Sequence, residues 1–219
     1  MNRRLLRTTY HVEVEEINFT HGLPTWMTEL VTGSSTTSTY DYTDPYGSHY
    51  AMMAKGAVGD GVTLSGSPLS TSVVKVMELE AIGVTVDGPA KLSLGLSSQS
   101  EGAAGIRLDA IPGDAGIAQA GRVCLQLQDG VSEGETILFS EGSEEKISDS
   151  KTVIEDLDLA VIVNSDTKMV QAHLGYSYVS CGPEGFPLDQ VLAPILKATL
   201  VADGEVTVKV RKLTIGTYT

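Results

Sequence analysis

Half of the chain's eight tyrosines lie in one short polar stretch, at Tyr40, Tyr42, Tyr46 and Tyr50. A tyrosine ring offers a flat apolar face with a polar tip, which suits stacking on a sugar ring or contact with another protein. Trp26, the only tryptophan, could extend this surface, although packing against the core is the alternative. These five rings are the candidate ligand-binding residues. The alternative is that the tyrosines anchor a long loop over the edge of a sheet.

Two aspartates lie among the tyrosines, and carboxylate oxygens are the ligands that a hard cation prefers. Asp41 and Asp44 are therefore the candidate metal ligands, with Ca2+ as the candidate cofactor. The chain contains no GxxxxGK[ST] or HExxH motif, so these nucleotide-binding and metalloprotease signatures are missing. The histidines are scattered without ligand spacing.

The composition limits the partners that the chain can have. Its 219 residues carry a net charge of −13, with a pI near 4.6. Binding to nucleic acid through a basic face needs clustered Lys and Arg, so we expect no nucleic-acid partner. Residues 1–9 are the basic exception and are predicted to form a flexible arm. No apolar signal region follows this arm and no window approaches about eighteen uninterrupted apolar residues, so neither a cleaved signal peptide nor membrane insertion is expected.

Alternation of apolar and polar residues predicts strands along nearly the whole chain. The clearest hairpin spans residues 151–179, where Leu159, Val161 and Val163 share one parity ahead of a polar turn. A bulge is predicted at Glu15–Glu16, where the parity changes, and a bulge or bend at Gly83.

Two segments lack the strand pattern. Residues 33–47 show no period and are predicted to form a loop. Residues 187–196 are the one plausible helix, which Pro194 would limit to about two turns. No Pro/Ser-rich linker divides the chain, so residues 10–219 are predicted to form a single domain of antiparallel strands in two packed sheets.

The two cysteines lie far apart, and neither belongs to a CxxC motif. We expect Cys124 and Cys181 to be free thiols, with a disulfide between them as the alternative.

The order of these elements resembles the concanavalin A-like lectin/glucanase jelly roll in its laminin G-like form. The resemblance covers nearly the whole chain, through pattern rather than a diagnostic motif. It is carried by Ile17-Asn-Phe19, Leu23-Pro-Thr-Trp26, the strand at Tyr50, the strand pair 78–86 and 90–96, Gly105-Ile-Arg-Leu108, the hairpin from Leu157, the short helix, and Leu213-Thr-Ile-Gly216. It implies an all-β fold, an antiparallel two-sheet jelly-roll sandwich with at most one short helix.

The resemblance also implies a check for glycosidase activity. Retaining β-glucanases of this fold carry ExDxxE or ExDxE on one strand, which aligns a nucleophile and a general acid. Glu78-Leu79-Glu80 has no third acid, and Glu155-Asp156-Leu157-Asp158 places its acids on both faces of the strand. Neither segment matches, so these acids are interpreted as solvent-facing, no catalytic residue is assigned, and we expect no enzymatic activity.

The resemblance and the missing secretion signal together suggest a structural or interaction module at the surface of a virion, as a capsid decoration, turret or tail component. Its partners would be other structural proteins of the assembly, further copies of itself in a homo-oligomer, and host-surface carbohydrate. A stand-alone lectin-like domain is the alternative, followed by a divergent glycoside hydrolase or lyase. The expected location is a virion or extracellular surface, or the cytoplasm if the protein is not viral.

Overall fold

A computed structural model describes residues 12–69, 73–87, 90–97, 104–109, 122–127, 137–139, 152–154, 157–174, 177–181 and 193–219. Within these ranges the chain is almost entirely β-structure, with one short 3-10 turn at Phe19–His21. None of the helical structure in these ranges has the length and apolar character that crossing a membrane requires.

The described residues form sixteen strands. In chain order they are β1 (Val12–Asn18), β2 (Thr28–Val31), β3 (Thr36–Tyr40), β4 (His49–Gly56), β5 (Gly61–Ser65), β6 (Val74–Asp87), β7 (Ala90–Ser97), β8 (Ala104–Asp109), β9 (Arg122–Leu127), β10 (Ile137–Phe139), β11 (Thr152–Ile154), β12 (Leu157–Asn164), β13 (Met169–Leu174), β14 (Ser177–Cys181), β15 (Ala193–Leu200) and β16 (Gly204–Tyr218).

These strands pair in antiparallel fashion into two sheets. The nine-stranded sheet has the order β14-β13-β12-β6-β16-β4-β3, with β1 also paired to β16 and β11 to β6. The seven-stranded sheet has the order β10-β9-β8-β7-β15-β5-β2. Strands β2 and β3 are consecutive in the chain but lie at the edges of different sheets, so residues 32–35 carry the chain from one sheet to the other.

The core lies between the two sheets and is made by the apolar parity of each strand. Leu159, Val161 and Val163 of β12 are fully buried, as their period-2 pattern predicts. Across the sandwich β12 packs against β7, where Leu92 and Leu94 are also fully buried. Burial of such side chains contributes about 1.5–3 kcal/mol each, which makes this layer the main source of stability.

Strand β16 changes its inward parity partway along its length. Val208 and Val210 are fully buried, and after Arg211 the buried positions become Leu213 and Ile215. The register between β16 and β6 shifts on both sides of Val210, because a β-bulge inserts an extra residue there. The same irregularity leaves Ile82 of β6 without a register partner in β16, next to Gly83, where a bulge or bend was predicted and where the pairing with Lys209 is kept.

Three local predictions are corrected. The bulge predicted at Glu15–Glu16 is wrong, because β1 pairs with β16 without interruption from Val12 to Asn18 and leaves Val14 42% exposed. Residues 33–47 are not all loop, since β3 occupies Thr36–Tyr40. The predicted helix at 187–196 is wrong over its second part, because Ala193 begins β15; residues 187–192 lie outside the described ranges.

Candidate functional site

The tyrosine-rich stretch forms the end of β3, the loop at residues 41–48 and the start of β4. Tyr40 ends β3 and pairs in register with His49, the first residue of β4. Directly paired residues of antiparallel strands point to the same face of a sheet. Tyr50, the next residue, is buried in the core, so Tyr40 and His49 lie on the outer face of the nine-stranded sheet.

The imidazole of His49 contacts the rings of two tyrosines. The ring of Tyr40 stacks on the imidazole, with centroids 4.6 Å apart and planes inclined by 9°. Tyr46 meets the same imidazole edge-on, with centroids 6.4 Å apart. Nδ1 of His49 forms a hydrogen bond with the carbonyl oxygen of Gly47 at 2.8 Å, which fixes the ring plane. The imidazole is only 1% exposed as a result.

Lys209 also contacts the ring of Tyr46. Its Nζ lies 3.2 Å from the centroid of the Tyr46 ring, a cation–π contact. Val208 and Val210 point into the core, so the residue between them projects from the outer face. One face of Tyr46 is therefore covered by a cation, as one face of Tyr40 is covered by an imidazole.

The loop is fixed by its own aspartates. Oδ1 of Asp41 accepts hydrogen bonds from the amide and the hydroxyl of Thr43, at 2.8 and 2.5 Å, and these bonds hold the pKa of Asp41 below its usual value. Oδ1 of Asp44 accepts one from the amide of Tyr46 at 2.9 Å. Gly47 closes the loop with a φ of +73°, a conformation that glycine adopts without strain.

Three tyrosines remain available to a ligand. Tyr40 is 40% exposed, Tyr46 is 49% exposed and Tyr42, between them in the chain, is 84% exposed. We call Tyr40, Tyr42 and Tyr46, together with His49 and Lys209, the tyrosine cluster. Tyr40 and Tyr46, which both contact His49, present flat apolar faces on the outer side of the nine-stranded sheet, and Tyr42 lies in the loop between them.

Two of the five predicted rings lie elsewhere. Tyr50 is only 4% exposed and packs against Phe19, so it is a core residue and offers no free face. Its hydroxyl donates a hydrogen bond to Glu29 of β2, and burial together with this carboxylate raises the pKa of Tyr50 to about 12. Trp26 packs against the core beside Gly66, which favours the packing alternative for this residue.

The carboxylates of Asp41 and Asp44 retain one free oxygen each. Neither Oδ2 atom has a hydrogen-bond partner within the described ranges. No group of three or more His, Cys, Asp or Glu side chains that could hold a metal ion occurs in the part of the chain that the structure describes. The Ca2+ site on this pair therefore stays a prediction.

The acidic residues considered for catalysis lie on the same outer face. Glu80 of β6 forms an ion pair with Arg211, with Nη1 and Oε1 3.3 Å apart. Asp158 of β12 lies in register with Glu80. Glu78 lies two residues before Glu80 in β6, on the same parity. Glu155 and Asp156 lie outside the described ranges.

His49 and Lys209 are the members of the cluster that were not predicted from the sequence. The position of His49 within the tyrosine-rich stretch could have indicated its place in the site. No sequence feature indicates Lys209, because its contact with Tyr46 depends on the pairing of β4 with β16, which are far apart in the chain.

Comparisons with known proteins extend this description. No protein-family model matches the chain, and no curated protein matches it significantly. Among solved structures, the chain is similar to the CBM2 module of the evolved Dit of Lactobacillus casei BL23 phage J-1, with a TM-score of 0.56, 11% identity, and coverage of 95% of this chain and 97% of that one. It is also similar to the carbohydrate recognition domain of Emp47p, with a TM-score of 0.52, 10% identity, and coverage of 89% and 90%. A substrate complex of the family 7 alginate lyase A1-II′ gives a TM-score of 0.50 at 14% identity, with coverage of 84% and 83%.

These likenesses confirm the predicted fold. The chain is a jelly-roll sandwich of two antiparallel sheets, and the similar structures with this fold include a carbohydrate-binding module, a carbohydrate recognition domain and a lyase. Because one fold serves such different activities, the function must be argued from the site.

Proposed function

We propose that this protein is a non-enzymatic carbohydrate-binding sandwich and that it serves at the surface of a virus particle, as a capsid decoration, turret or tail component. The observation that carries the proposal is the tyrosine cluster, in which the exposed rings of Tyr40 and Tyr46 both contact His49 on one face of the sheet and the exposed Tyr42 lies in the loop between them.

The chemistry of the cluster suits a sugar. A pyranose ring has an apolar face of C–H groups and a rim of hydroxyls, which match the apolar face and polar tip of a tyrosine. Tyr40 and Tyr46 are already held by His49 and Lys209, so their rings lose little conformational freedom when a ligand stacks on them. Preorganisation of this kind increases affinity without additional contacts.

The likeness to the phage module supports the viral part of the proposal. It extends over 95% of this chain and 97% of that one. In a virion such a module would dock on other structural proteins, form a homo-oligomer, and present the tyrosine cluster to carbohydrate on the host surface. Without an assembly partner, the same site would serve a stand-alone lectin-like domain.

The direct test is binding to a panel of immobilised glycans, followed by calorimetric titration of the oligosaccharides that are retained. Separate alanine variants of Tyr40, Tyr42 and Tyr46 should each weaken binding by about tenfold, the loss expected when a contact of ~1.4 kcal/mol is removed. Leu30→Ala is the matched control, because Leu30 is 62% exposed on β2 of the other sheet. Unchanged affinity in all three tyrosine variants would overturn the proposed site.

A further inference from the structure

The two aspartates in the loop of the tyrosine cluster offer a ligand hydrogen-bond acceptors and no donors. Asp41 and Asp44 each use Oδ1 within the loop and leave Oδ2 without a partner among the described residues. Ionised carboxylates accept hydrogen bonds and donate none. A ligand that contacts these two carboxylates must therefore supply hydrogen-bond donors.

The charges around the cluster add to this requirement. Its one cation, Lys209, already contacts the Tyr46 ring, while the two aspartates are negative. The whole chain carries a charge of −13. Further cations on the same face are held by acids, in the pairs Lys55–Glu205 at 3.0 Å, Arg211–Glu80 at 3.3 Å and Lys212–Glu16 at 2.7 Å.

We propose that the tyrosine cluster selects neutral, hydroxyl-rich glycans over acidic ones, with Asp41 and Asp44 as the acceptors for sugar hydroxyls. This inference rests on the proposed carbohydrate-binding function. Sugar hydroxyls donate charge-assisted hydrogen bonds to the free Oδ2 atoms while the sugar's C–H face covers Tyr42. A uronate or sulfate group on the same sugar brings a second anion to these carboxylates and is repelled. The pair of aspartates alone falls short of the roughly six to eight oxygen ligands that Ca2+ takes, which favours hydroxyls over the metal as their partner.

The test compares neutral and acidic oligosaccharides of equal length. Linear glucan, mannan and galactan oligomers are titrated against the intact protein alongside oligouronates, once with Ca2+ and once in EDTA. We expect at least one neutral series to bind, and oligouronates to bind about fivefold more weakly at low salt, the loss expected for a like-charge contact near ~4 Å in water. The difference should shrink toward 1 M salt, where the Debye length falls to about 3 Å.

The matched variant is Asp41→Asn with Asp44→Asn. Asparagine keeps the Oδ1 acceptor that each turn uses, so the loop retains its hydrogen bonds while both charges are removed. We expect the double variant to lose several-fold in affinity for the neutral oligomer and to gain affinity for the oligouronate. Tighter binding of oligouronates by the unmodified protein, or neutral binding that disappears in EDTA, would overturn the selectivity while leaving carbohydrate binding in place. Failure of every oligosaccharide to bind would overturn the proposed function itself.

Discussion

The ring of Tyr40 lies flat on the imidazole of His49, with the two planes inclined by only 9°. The two residues are direct cross-strand partners of β3 and β4, so the sheet register itself positions the stack. Because the exposed face of Tyr40 lies opposite this contact, the orientation of the candidate ligand-binding surface depends on a residue that a ligand would not touch.

Replacement of His49 by alanine should therefore affect both stability and binding. The variant loses the aromatic contact and leaves a small cavity beneath Tyr40, which should lower the free energy of unfolding by about 2 kcal/mol. Urea denaturation measures this change. The control is His21→Ala, since His21 is exposed and its loss should cost less than ~0.5 kcal/mol. Equal, small effects of the two substitutions would show that the stack adds nothing.

The contribution of the Lys209 ammonium can be tested by a substitution that keeps an unbranched apolar side chain of similar length. Lys209→Met removes the ammonium over the Tyr46 ring, which should cost about 0.5–1 kcal/mol of stability and weaken glycan affinity several-fold as Tyr46 loses its fixed orientation. Lys55→Met is the matched control on the same face, because it removes only an exposed ion pair with Glu205. Calorimetric titration of both variants checks the prediction, which fails if the control loses as much affinity as Lys209→Met.

The strands were predictable from sequence wherever one face of a strand is buried. Leu159, Val161 and Val163 share one parity while the exposed Asp158 lies on the other, and this pattern marks the inward face. The change of parity in β16 was visible for the same reason, because Leu213 and Ile215 follow Val210 on the other parity.

Strand β3 and the composition of the cluster could not be obtained in this way. The side chains of β3 are threonine, serine and tyrosine that lie mostly exposed at a sheet edge, so burial imposes no period on them. Tyr40 and Tyr50 have the same chemistry, and only the register of β3 on β4 places one outside and the other in the core. Lys209 joins the cluster through long-range pairing, which local patterns do not encode.

The assembly part of the proposed function predicts a defined oligomer. Closed symmetry is the usual arrangement of soluble homo-oligomers, so the mass in solution should correspond to a trimer, pentamer or hexamer. Light scattering measures it, with and without Ca2+. A monomer under both conditions would contradict the assembly role and leave the stand-alone lectin-like domain as the better description.

The two cysteines should be free thiols. Cys181 of β14 pairs in register with Val170, which is buried in the core. Cys124 of β9 pairs with Arg107 of β8, which in turn pairs with Lys91 of β7. Cys124 therefore shares the parity of Lys91 and not that of its buried neighbour Leu92, whereas Cys181 shares the parity of the buried Val170 in the facing sheet. Titration with a thiol reagent in denaturant, without reductant, should give two thiols per chain; none would indicate the disulfide.

Tyr50 links the two sheets through its hydrogen bond to Glu29, and Thr37 donates a second one to the same carboxylate at 3.0 Å. Tyr50→Phe removes the first bond and should cost about 1–2 kcal/mol at neutral pH, measured by urea denaturation. Thr36→Val on the same edge strand, whose hydroxyl contacts only the sulfur of Met53, is the control. An unchanged midpoint for Tyr50→Phe would contradict the role of this bond.

The same tyrosine should make stability depend on pH in the alkaline range. Its pKa is about 12 in the folded protein and 10.0 for an ordinary tyrosine, so the unfolded chain releases this proton first as the pH rises. The contribution is fully present below pH 10 and is lost as the pH rises toward 12. Unfolding midpoints measured across this range should fall more steeply for the unmodified protein than for Tyr50→Phe, which has no proton to release there. Parallel curves would show that burial and Glu29 do not hold the Tyr50 proton in the folded state.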